Sequence, residues 1–158
     1  MDKQALLEDV ITQLEQNVAA LMSAMEKTVD AATNEETVPE HKYDTLALEA
    51  SYLAHGQAVR LEQIKNDIAL LRKTQVKAFS SQDRIKLTAL VDLEDSDGVV
   101  NQFFVLPCAG GVSIKGMTIK VVTPQSPLGN ALLGQTQDDE VTVTIGEQPT
   151  HYAIINLI

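Results

Sequence analysis

The chain has 158 residues, of which 44% are apolar, and 22 acidic against 12 basic side chains give it a formal net charge of −10. This size allows one ordinary domain or two small ones. The negative charge argues against specific recognition of duplex DNA, because phosphates would repel the protein. A protein partner with a basic groove fits the charge better.

Cysteine usage and hydropathy exclude several further classes of protein. Cys108 is the only cysteine, which excludes a disulfide framework and a thiolate zinc site. No apolar run approaches the roughly 20 residues of a membrane span. The N-terminus lacks the basic-then-apolar pattern of a signal peptide. We therefore expect a cytoplasmic protein that works without a membrane.

The first predicted element is one long helix over residues 3–30. Its apolar residues recur at alternating spacings of four and three, which is the a/d seam of a coiled coil. The seam residues are Leu7, Ile11, Leu14, Val18, Leu21 and Met25. Such a seam indicates packing against a second helix rather than ligand binding.

A polar stretch over residues 30–42 interrupts the heptads. Pro39 cannot continue a helix, and Thr37 offers a side chain to a turning backbone. We therefore predict that the chain reverses here and forms an antiparallel helical hairpin with an acidic tip. The tip carboxylates are those of Glu35, Glu36 and Glu40.

The second helix is predicted over residues 42–73. Its seam residues are Leu46, Ala50, Leu53, Leu61, Ile64, Ile68 and Leu71. Gly56 and Gln57 interrupt the seam, so weaker packing or a slight bend is expected there. Basic residues gather toward the end remote from the tip, where they suit the negative end of the helix dipole; they are Arg60, Lys65, Arg72, Lys73 and Lys77.

Beyond residue 78 the apolar period changes from 3.5 to 2, which predicts strands. Seven of the eight glycines and four of the five prolines lie in this half, where they mark turns. Strands are predicted over 84–93, 99–106, 117–123, 141–145 and 150–157. Asp95 to Gly98 form the first hairpin turn. The order is β-β-β-α-β-β, so the fold class is α+β, with a hairpin domain over 1–78 and an antiparallel β domain over 79–158.

The one predicted helix of this half covers residues 126–134. Ser126 is placed to cap it, Pro127 occupies the first turn, and Gly134 can take the left-handed conformation that ends it. The segment reads Ser-Pro-Leu-Gly-Asn-Ala-Leu-Leu-Gly, and Asp-Asp-Glu-Val-Thr-Val follows over 138–143. Together with the hairpin, these motifs closely resemble the bacterial Gre-type transcript-cleavage and elongation factors, over essentially the whole chain.

This resemblance implies an FKBP-like fold for the β domain and RNA polymerase as the partner. The β domain would dock on the rim of the polymerase secondary channel, and the hairpin would enter it, with possible contact to nascent RNA. The docking residues implied are Ser126, Pro127, Leu128, Asn130, Leu132 and Gly134. A monomer without catalytic activity of its own is expected.

In cleavage-active members of the family, tip carboxylates help hold a second magnesium ion at the polymerase active centre. Here Glu36 and Glu40 are the nearest counterparts, with Glu35 beside them, and no cofactor is expected to be stably bound. The tip departs from the family run because its glycine is missing and Pro39 is foreign. An alternative is therefore a Gre-fold regulator or inhibitor that binds polymerase without stimulating cleavage.

The sequence pattern leaves two further functions to weigh against this resemblance. A peptidyl-prolyl isomerase needs an aromatic pocket floor, and the second half of the chain offers few aromatic residues for one: Phe79, Phe103, Phe104 and Tyr152. A chaperone-like hairpin unrelated to transcription would be distinguished by its failure to associate with polymerase.

Overall fold

In a computed structural model of the chain, residues 1–33, 44–114, 116 and 118–158 are described. Two long helices come first, α1 (Lys3–Thr33) and α2 (Asp44–Lys73). Six strands and one short helix follow: β1 (Leu90–Asp95), β2 (Val100–Val105), β3 (Ser113–Ile114), β4 (Ile119–Val122), α3 (Pro127–Leu132), β5 (Glu140–Ile145) and β6 (Gln148–Leu157). The predicted α+β class, two long helices before a small sheet domain, is confirmed.

The burial of α1 follows the predicted seam. Leu7, Ile11 and Leu14 are buried, and the next three seam residues, Val18, Leu21 and Met25, are half-buried. Thr28 continues the same spacing and is also buried, with its hydroxyl donating to the carbonyl of Ala24 at 3.0 Å. The heptad prediction for this helix is therefore confirmed.

On α2 the predicted seam is confirmed at Ala50 and from Leu61 to Leu71, and it is wrong at Leu53. Leu53 is 56% exposed, while Ala54 is half-buried. Stepping back from Leu71 by alternating threes and fours gives the inward positions: Ala47, Ala50, Ala54, Gln57, Leu61, Ile64, Ile68 and Leu71. Leu53 is the larger apolar residue, but only Ala54 keeps the spacing that continues from Leu61. The side chain of Leu46 lies outside the described part.

Gln57 occupies one of these inward positions, as the interrupted pattern predicted. Its side-chain oxygen is buried and has no hydrogen-bond partner among the described residues. An unpaired buried polar atom costs free energy, and the seam positions that precede Gln57 on α2, Ala50 and Ala54, carry small side chains. This part of the seam therefore has fewer large apolar side chains than the part around Leu14 and Ile64.

The six strands form one sheet in the order β3-β4-β2-β1-β6-β5. Neighbouring strands are antiparallel except β2 and β4, which run parallel with Phe104 opposite Val121. The sheet is thus mixed rather than purely antiparallel. The crossover between β2 and β4 contains the two-residue strand β3, which is too short for a periodicity search to detect.

The first strand begins at Leu90, not at Arg84 as the alternation predicted. Thr88 has a φ of 74°, which breaks the extended backbone just before the strand. In a strand over 84–93, the alternation of Ile85, Leu87, Ala89 and Val91 would place Leu87 inward and Leu90 outward, but Leu87 is 39% exposed and Leu90 is 1% exposed. Successive residues of a strand face opposite sides of the sheet, so burial of both Leu90 and Val91 means that β1 is covered on both faces.

One face of the sheet packs into a core that includes α3. Its buried members are Ile85, Ala89, Val91, Leu93, Val105, Val122, Leu132, Val141, Ile154 and Leu157. On the opposite face Leu90, Phe104 and Val121 are also buried. Strand alternation assigns these three to a common face, since Leu90 and Val121 both pair with Phe104.

The structure divides into two compact units. One comprises Met1–Ile11 with Leu70–Ile158, and the other Thr12–Ala69. In the first unit, the ammonium group of Lys3 donates to the backbone oxygens of Lys77, Thr88 and Ile158. It also lies 4.8 Å from the ring centre of Phe79. The start of α1 is therefore part of the unit that contains the sheet. The predicted domain boundary at residue 78 stays a prediction.

Candidate functional site

The segment over 126–134 forms the short helix that its punctuation predicted. Ser126 is the N-cap, and its hydroxyl accepts a hydrogen bond from the Gly129 N–H at 3.1 Å. The same hydroxyl donates to the carbonyl of Thr123 at 2.8 Å. Pro127 begins the helix, where its missing N–H costs nothing. Gly134 follows the helix with a φ of 83° and donates its N–H to Ile85 at 2.9 Å.

Gly129 holds α3 against the loop that precedes it. A Cβ atom at this position would lie 1.9 Å from the carbonyl oxygen of Thr123. That distance is impossible without a backbone shift, so only glycine allows this approach. On the same side Leu132 is fully buried in the core. These two residues fix the helix from beneath.

The predicted docking residues fall into two groups. Pro127, Asn130 and Gly134 are exposed, and Ser126 and Leu128 are half-buried, so these five can meet a partner. Leu132 has no exposed surface, and any contribution from it to docking would be indirect. Its role in the structure is to support the helix.

An apolar groove of about 270 Å³ runs beside the start of α3. Ser126, Pro127 and Leu128 form one side. The remaining lining residues come from the loop and strands of the sheet: Phe103, Gly110, Gly111, Lys120, Val121, Val122 and Ile145. Among the described residues that line the groove, Lys120 is the charged one. Ile145, the last residue of β5, is 68% exposed, an unusual position for a large aliphatic side chain.

Sequence reasoning found one side of this groove and missed the other. Phe103, Lys120 and Ile145 belong to three different strands and are far apart in the chain. Only the tertiary fold brings them to α3, and its sheet includes a parallel pair, β2 and β4, that the sequence did not predict. The available local signal was Ile145 immediately before the Gly146 turn, where a polar residue is more usual.

Two turns of the same design lie near α3. The Asp139 carboxylate accepts from the N–H and the hydroxyl of Thr136, at 2.8 and 3.0 Å. Asp83 does the same with Ser80, at 2.7 and 3.0 Å. In each case these two hydrogen bonds stabilise the charged form and hold the pKa of the carboxyl below its ordinary value of 3.8.

The basic residues near the end of α2 are partly brought together. Lys73 and Lys77 line an open depression with Lys86, together with Gln75, Leu87 and Thr88. All three lysines are exposed. Lys86 also lies close enough to Asp83 to act on its pKa, so the local charge is not purely positive.

Glu35, Glu36 and Glu40 lie outside the described residues. Within the described ranges, no group of three or more histidine, cysteine, aspartate or glutamate side chains is arranged to hold a metal ion. None of the helices described there is both long and apolar enough to cross a membrane.

Comparison with known proteins places this architecture. The family model described as transcription elongation factor, GreA/GreB, C-term, matches residues 80–158, which is half of the chain. The chain is 28% identical over 138 residues to the transcription elongation factor GreA of Syntrophus aciditrophicus, covering 86% of this chain and 80% of that protein. It is 26% identical over 129 residues to GreA of Chlorobaculum parvum, covering 81% and 67%.

A solved structure is similar as well. The crystal structure of GreA factor homolog 1 (Gfh1) of Thermus thermophilus aligns over 94% of this chain and 94% of its own, with 17% identity and a TM-score of 0.41. The family match covers the whole sheet and α3, including the segment over 126–134 on which the sequence resemblance depended. The chain therefore belongs to the Gre-type family of transcription elongation factors.

Proposed function

We propose that this protein binds RNA polymerase through the groove beside α3 and carries its hairpin tip into the secondary channel, where it stimulates the polymerase's own cleavage of backtracked RNA. The observation that carries the proposal is that Ser126, Pro127 and Leu128, the first three residues of the segment over 126–134, form one side of an apolar groove. A groove lined by Phe103, Leu128 and Ile145 is suited to apolar side chains of a protein partner.

The shape of the groove suits docking because its parts are rigid. Gly129 and Leu132 hold α3 from beneath, and Val121 and Val122 belong to a strand inside the sheet. A preformed surface loses little conformational entropy on binding. Lys120 adds one positive charge, which favours a partner segment that combines apolar and acidic side chains.

The long helices of the hairpin would allow its tip to extend into the secondary channel. A helix of 31 residues, the length of α1, spans about 46 Å at 1.5 Å per residue. Glu35, Glu36 and Glu40 are in the segment that connects the two helices. We expect these residues to act inside the polymerase channel, in a part of the polymerase that the β domain does not contact.

Glu36 and Glu40 are the candidates for holding a magnesium ion jointly with the polymerase. Carboxylate oxygens are the hard donors that Mg²⁺ prefers, and few of them are needed when a partner completes the site. Such an ion, when bound, stabilises the charge that develops during phosphodiester hydrolysis. The chain's own contribution would be to place the carboxylates, not to catalyse a reaction alone. We expect a cytoplasmic monomer that meets nascent RNA only inside the complex.

Binding of the full chain to purified RNA polymerase tests the docking step. Ile145→Glu places a charge on the exposed side of the groove and should weaken binding by about tenfold or more. Val99→Glu is the matched control, because Val99 is 52% exposed and is not among the residues that line the groove. Equal affinities for both variants and the wild type would exclude the groove as the docking site.

A second candidate function is a regulator that occupies polymerase without stimulating cleavage. It is favoured by one observation, the replacement of the family's tip pattern by a run containing Pro39 and lacking glycine. Small displacements of catalytic groups are costly in preorganised sites. This protein would then bind as proposed and slow nucleotide addition.

A further inference from the structure

The unit formed by Thr12–Ala69 carries a second groove, distinct from the one beside α3. Its volume is about 480 Å³ and it is lined by Met22, Met25, Glu26, Val29, Asp30 and Leu61. We call it the shaft groove. Pockets that bind ligands and anchoring side chains fall in the range of roughly 300 to 1,000 Å³. Its lining residues do not include Glu35, Glu36 or Glu40 or any residue that lines the groove beside α3.

The shaft groove has an apolar wall and floor. Met22 and Val29 are 50% and 49% exposed, and Met25 and Leu61 are half-buried beneath them. The groove lies where the α2 seam is poor in large side chains, because Ala54 and Gln57 precede Leu61 on the inward side. Methionine side chains are flexible and polarisable, so they adapt to an incoming apolar group.

Among the described residues that line the shaft groove, the two charged ones are acidic. Glu26 and Asp30 are four residues apart on α1, so they lie on the same side of the helix. Lys27, the basic residue next to Glu26, is not among the lining residues. The groove is therefore apolar inside and negative along one side. This pattern fits a segment with apolar anchors and a basic residue about one turn away.

We propose that the shaft groove binds a basic amphipathic helix of a partner protein. The helix would insert an apolar side chain between Met22, Val29 and Leu61, and its Lys or Arg would pair with Glu26 or Asp30. Grooves of this composition recognise amphipathic helices through apolar anchors and charge complementarity.

The same charges disfavour other occupants. In a two-fold dimer the same patch meets itself, so Glu26 and Asp30 of two copies would approach one another, and the net charge of −10 adds to the repulsion. Anionic lipid headgroups and nucleic-acid phosphates would be repelled for the same reason. A basic protein segment is the occupant that gains from both the apolar lining and the carboxylates.

A peptide titration of the full chain tests the proposal. The protein contains no tryptophan, so a synthetic amphipathic helix with one tryptophan on its apolar face reports binding through its own fluorescence. Two peptides with the same apolar face are compared, one flanked by lysines and the other by glutamates. The lysine peptide should bind at least about tenfold more tightly, and added salt should reduce that difference.

Variants locate the site. Met22→Gln should weaken binding of the lysine peptide by about fivefold or more, and Glu26→Gln should reduce its salt dependence. Leu48→Gln is the matched control, because Leu48 is 53% exposed on the same unit but does not line the groove. Circular dichroism verifies that each variant keeps its helix content.

Four results would overturn the proposal. They are no binding at about 1 mM peptide, equal binding of the two peptides, equal effects of Met22→Gln and Leu48→Gln, and sedimentation showing self-association that Met22→Gln abolishes. The last result would assign the groove to a second copy of the chain.

Discussion

The ammonium nitrogen of Lys3 lies 2.8 Å from the carbonyl oxygen of Thr88 and links the first turn of α1 to the turn before β1. Thr88 is β-branched and has a φ of 74°, a conformation that such residues rarely adopt. Its N–H donates to Val105 at 2.7 Å, and its hydroxyl accepts from the Lys77 N–H at 3.0 Å. The strained residue is thus held by bonds on three sides, one of them from Lys3.

Replacing Lys3 should destabilise the unit that contains the sheet. Burial lowers the pKa of the Lys3 ammonium below its ordinary value of 10.5, while its hydrogen bonds to three backbone oxygens act to keep it charged. Lys3→Met removes that donor, so we expect a loss of about 2 to 4 kcal/mol in urea unfolding. Lys27→Met, at an exposed position, should change stability by less than about 0.5 kcal/mol. Equal losses would contradict the anchoring role.

The two aspartate turns predict how the stability of the protein changes with pH under acidic conditions. Because the folded-state pKa values of Asp83 and Asp139 lie below 3.8, their contribution is present above that pH and is lost as pH falls through the lower folded values. The double variant Asp83→Asn, Asp139→Asn should therefore lose less stability than wild type between about pH 5 and pH 2. The measurement is the urea midpoint across this range.

Neutralisation at other exposed carboxylates controls for net charge. Asp97→Asn combined with Glu147→Gln removes the same number of charges from two other turns, at residues that are also exposed. If this pair reduces the loss of stability at low pH as much as the Asp83→Asn, Asp139→Asn variant does, general charge repulsion causes that loss. The hydrogen bonds from Ser80 and Thr136 would then not be responsible.

The corrected register of α2 makes a stability prediction. Leu14 and Ile64 are each 4% exposed, so replacing either with alanine should cost about 2 to 5 kcal/mol. Leu53→Ala should cost less than about 0.5 kcal/mol, because that side chain is 56% exposed. Thermal or urea unfolding with a large loss at Leu53 would favour the register in which that residue points inward.

Two glycines should respond in opposite directions to the same substitution. Gly129→Ala forces a Cβ atom against the carbonyl oxygen of Thr123. We expect it to lower the free energy of unfolding by about 1 to 3 kcal/mol. Gly56 lies within α2 with nothing within 4 Å of an added Cβ. Gly56→Ala should therefore stabilise the helix by about 0.5 to 1 kcal/mol. Differential scanning calorimetry of both variants distinguishes close packing from helix propensity.

Sequence reasoning succeeded where the signal was local and periodic. The bounds of the long helices, the Ser126 cap and the Asp95 turn all depend on neighbouring residues; for example, the Asp95 carboxylate accepts from the N–H groups of Asp97 and Val99. It failed where two patterns competed. Ile85, Leu87 and Ala89 alternate like a strand, but Thr88 turns the backbone between them.

The groove beside α3 is formed by residues that are far apart in the chain, and the sequence carries no signal for such contacts. Phe103 and Ile145 lie in strands that are separated in the sheet order by β1 and β6, and no periodicity relates them. The buried role of Lys3 was missed for a related reason, because its three acceptors are 74 to 155 residues away. Long-range pairings of this kind have no local signature.

Variants of the tip carboxylates should distinguish binding to polymerase from stimulation of transcript cleavage. Glu36→Ala and Glu40→Ala should each reduce stimulated transcript cleavage by at least about tenfold while leaving affinity for polymerase nearly unchanged, because the carboxylates would act on the metal. Added magnesium should partly restore each single variant, since a weakened site is refilled by mass action. Thr12→Ala changes an exposed residue of α1 that is remote in sequence from the tip. It serves as the control and should leave cleavage unaltered.

The most direct test of the central claim is a transcript-cleavage assay on stalled RNA polymerase with the full-length wild-type chain, with binding measured in the same samples. The account predicts that the protein binds and that shortened RNA appears faster than with polymerase alone. Binding without faster cleavage at any magnesium concentration would contradict the cleavage role and favour the inhibitory alternative. No binding at all would contradict the proposed function as a whole.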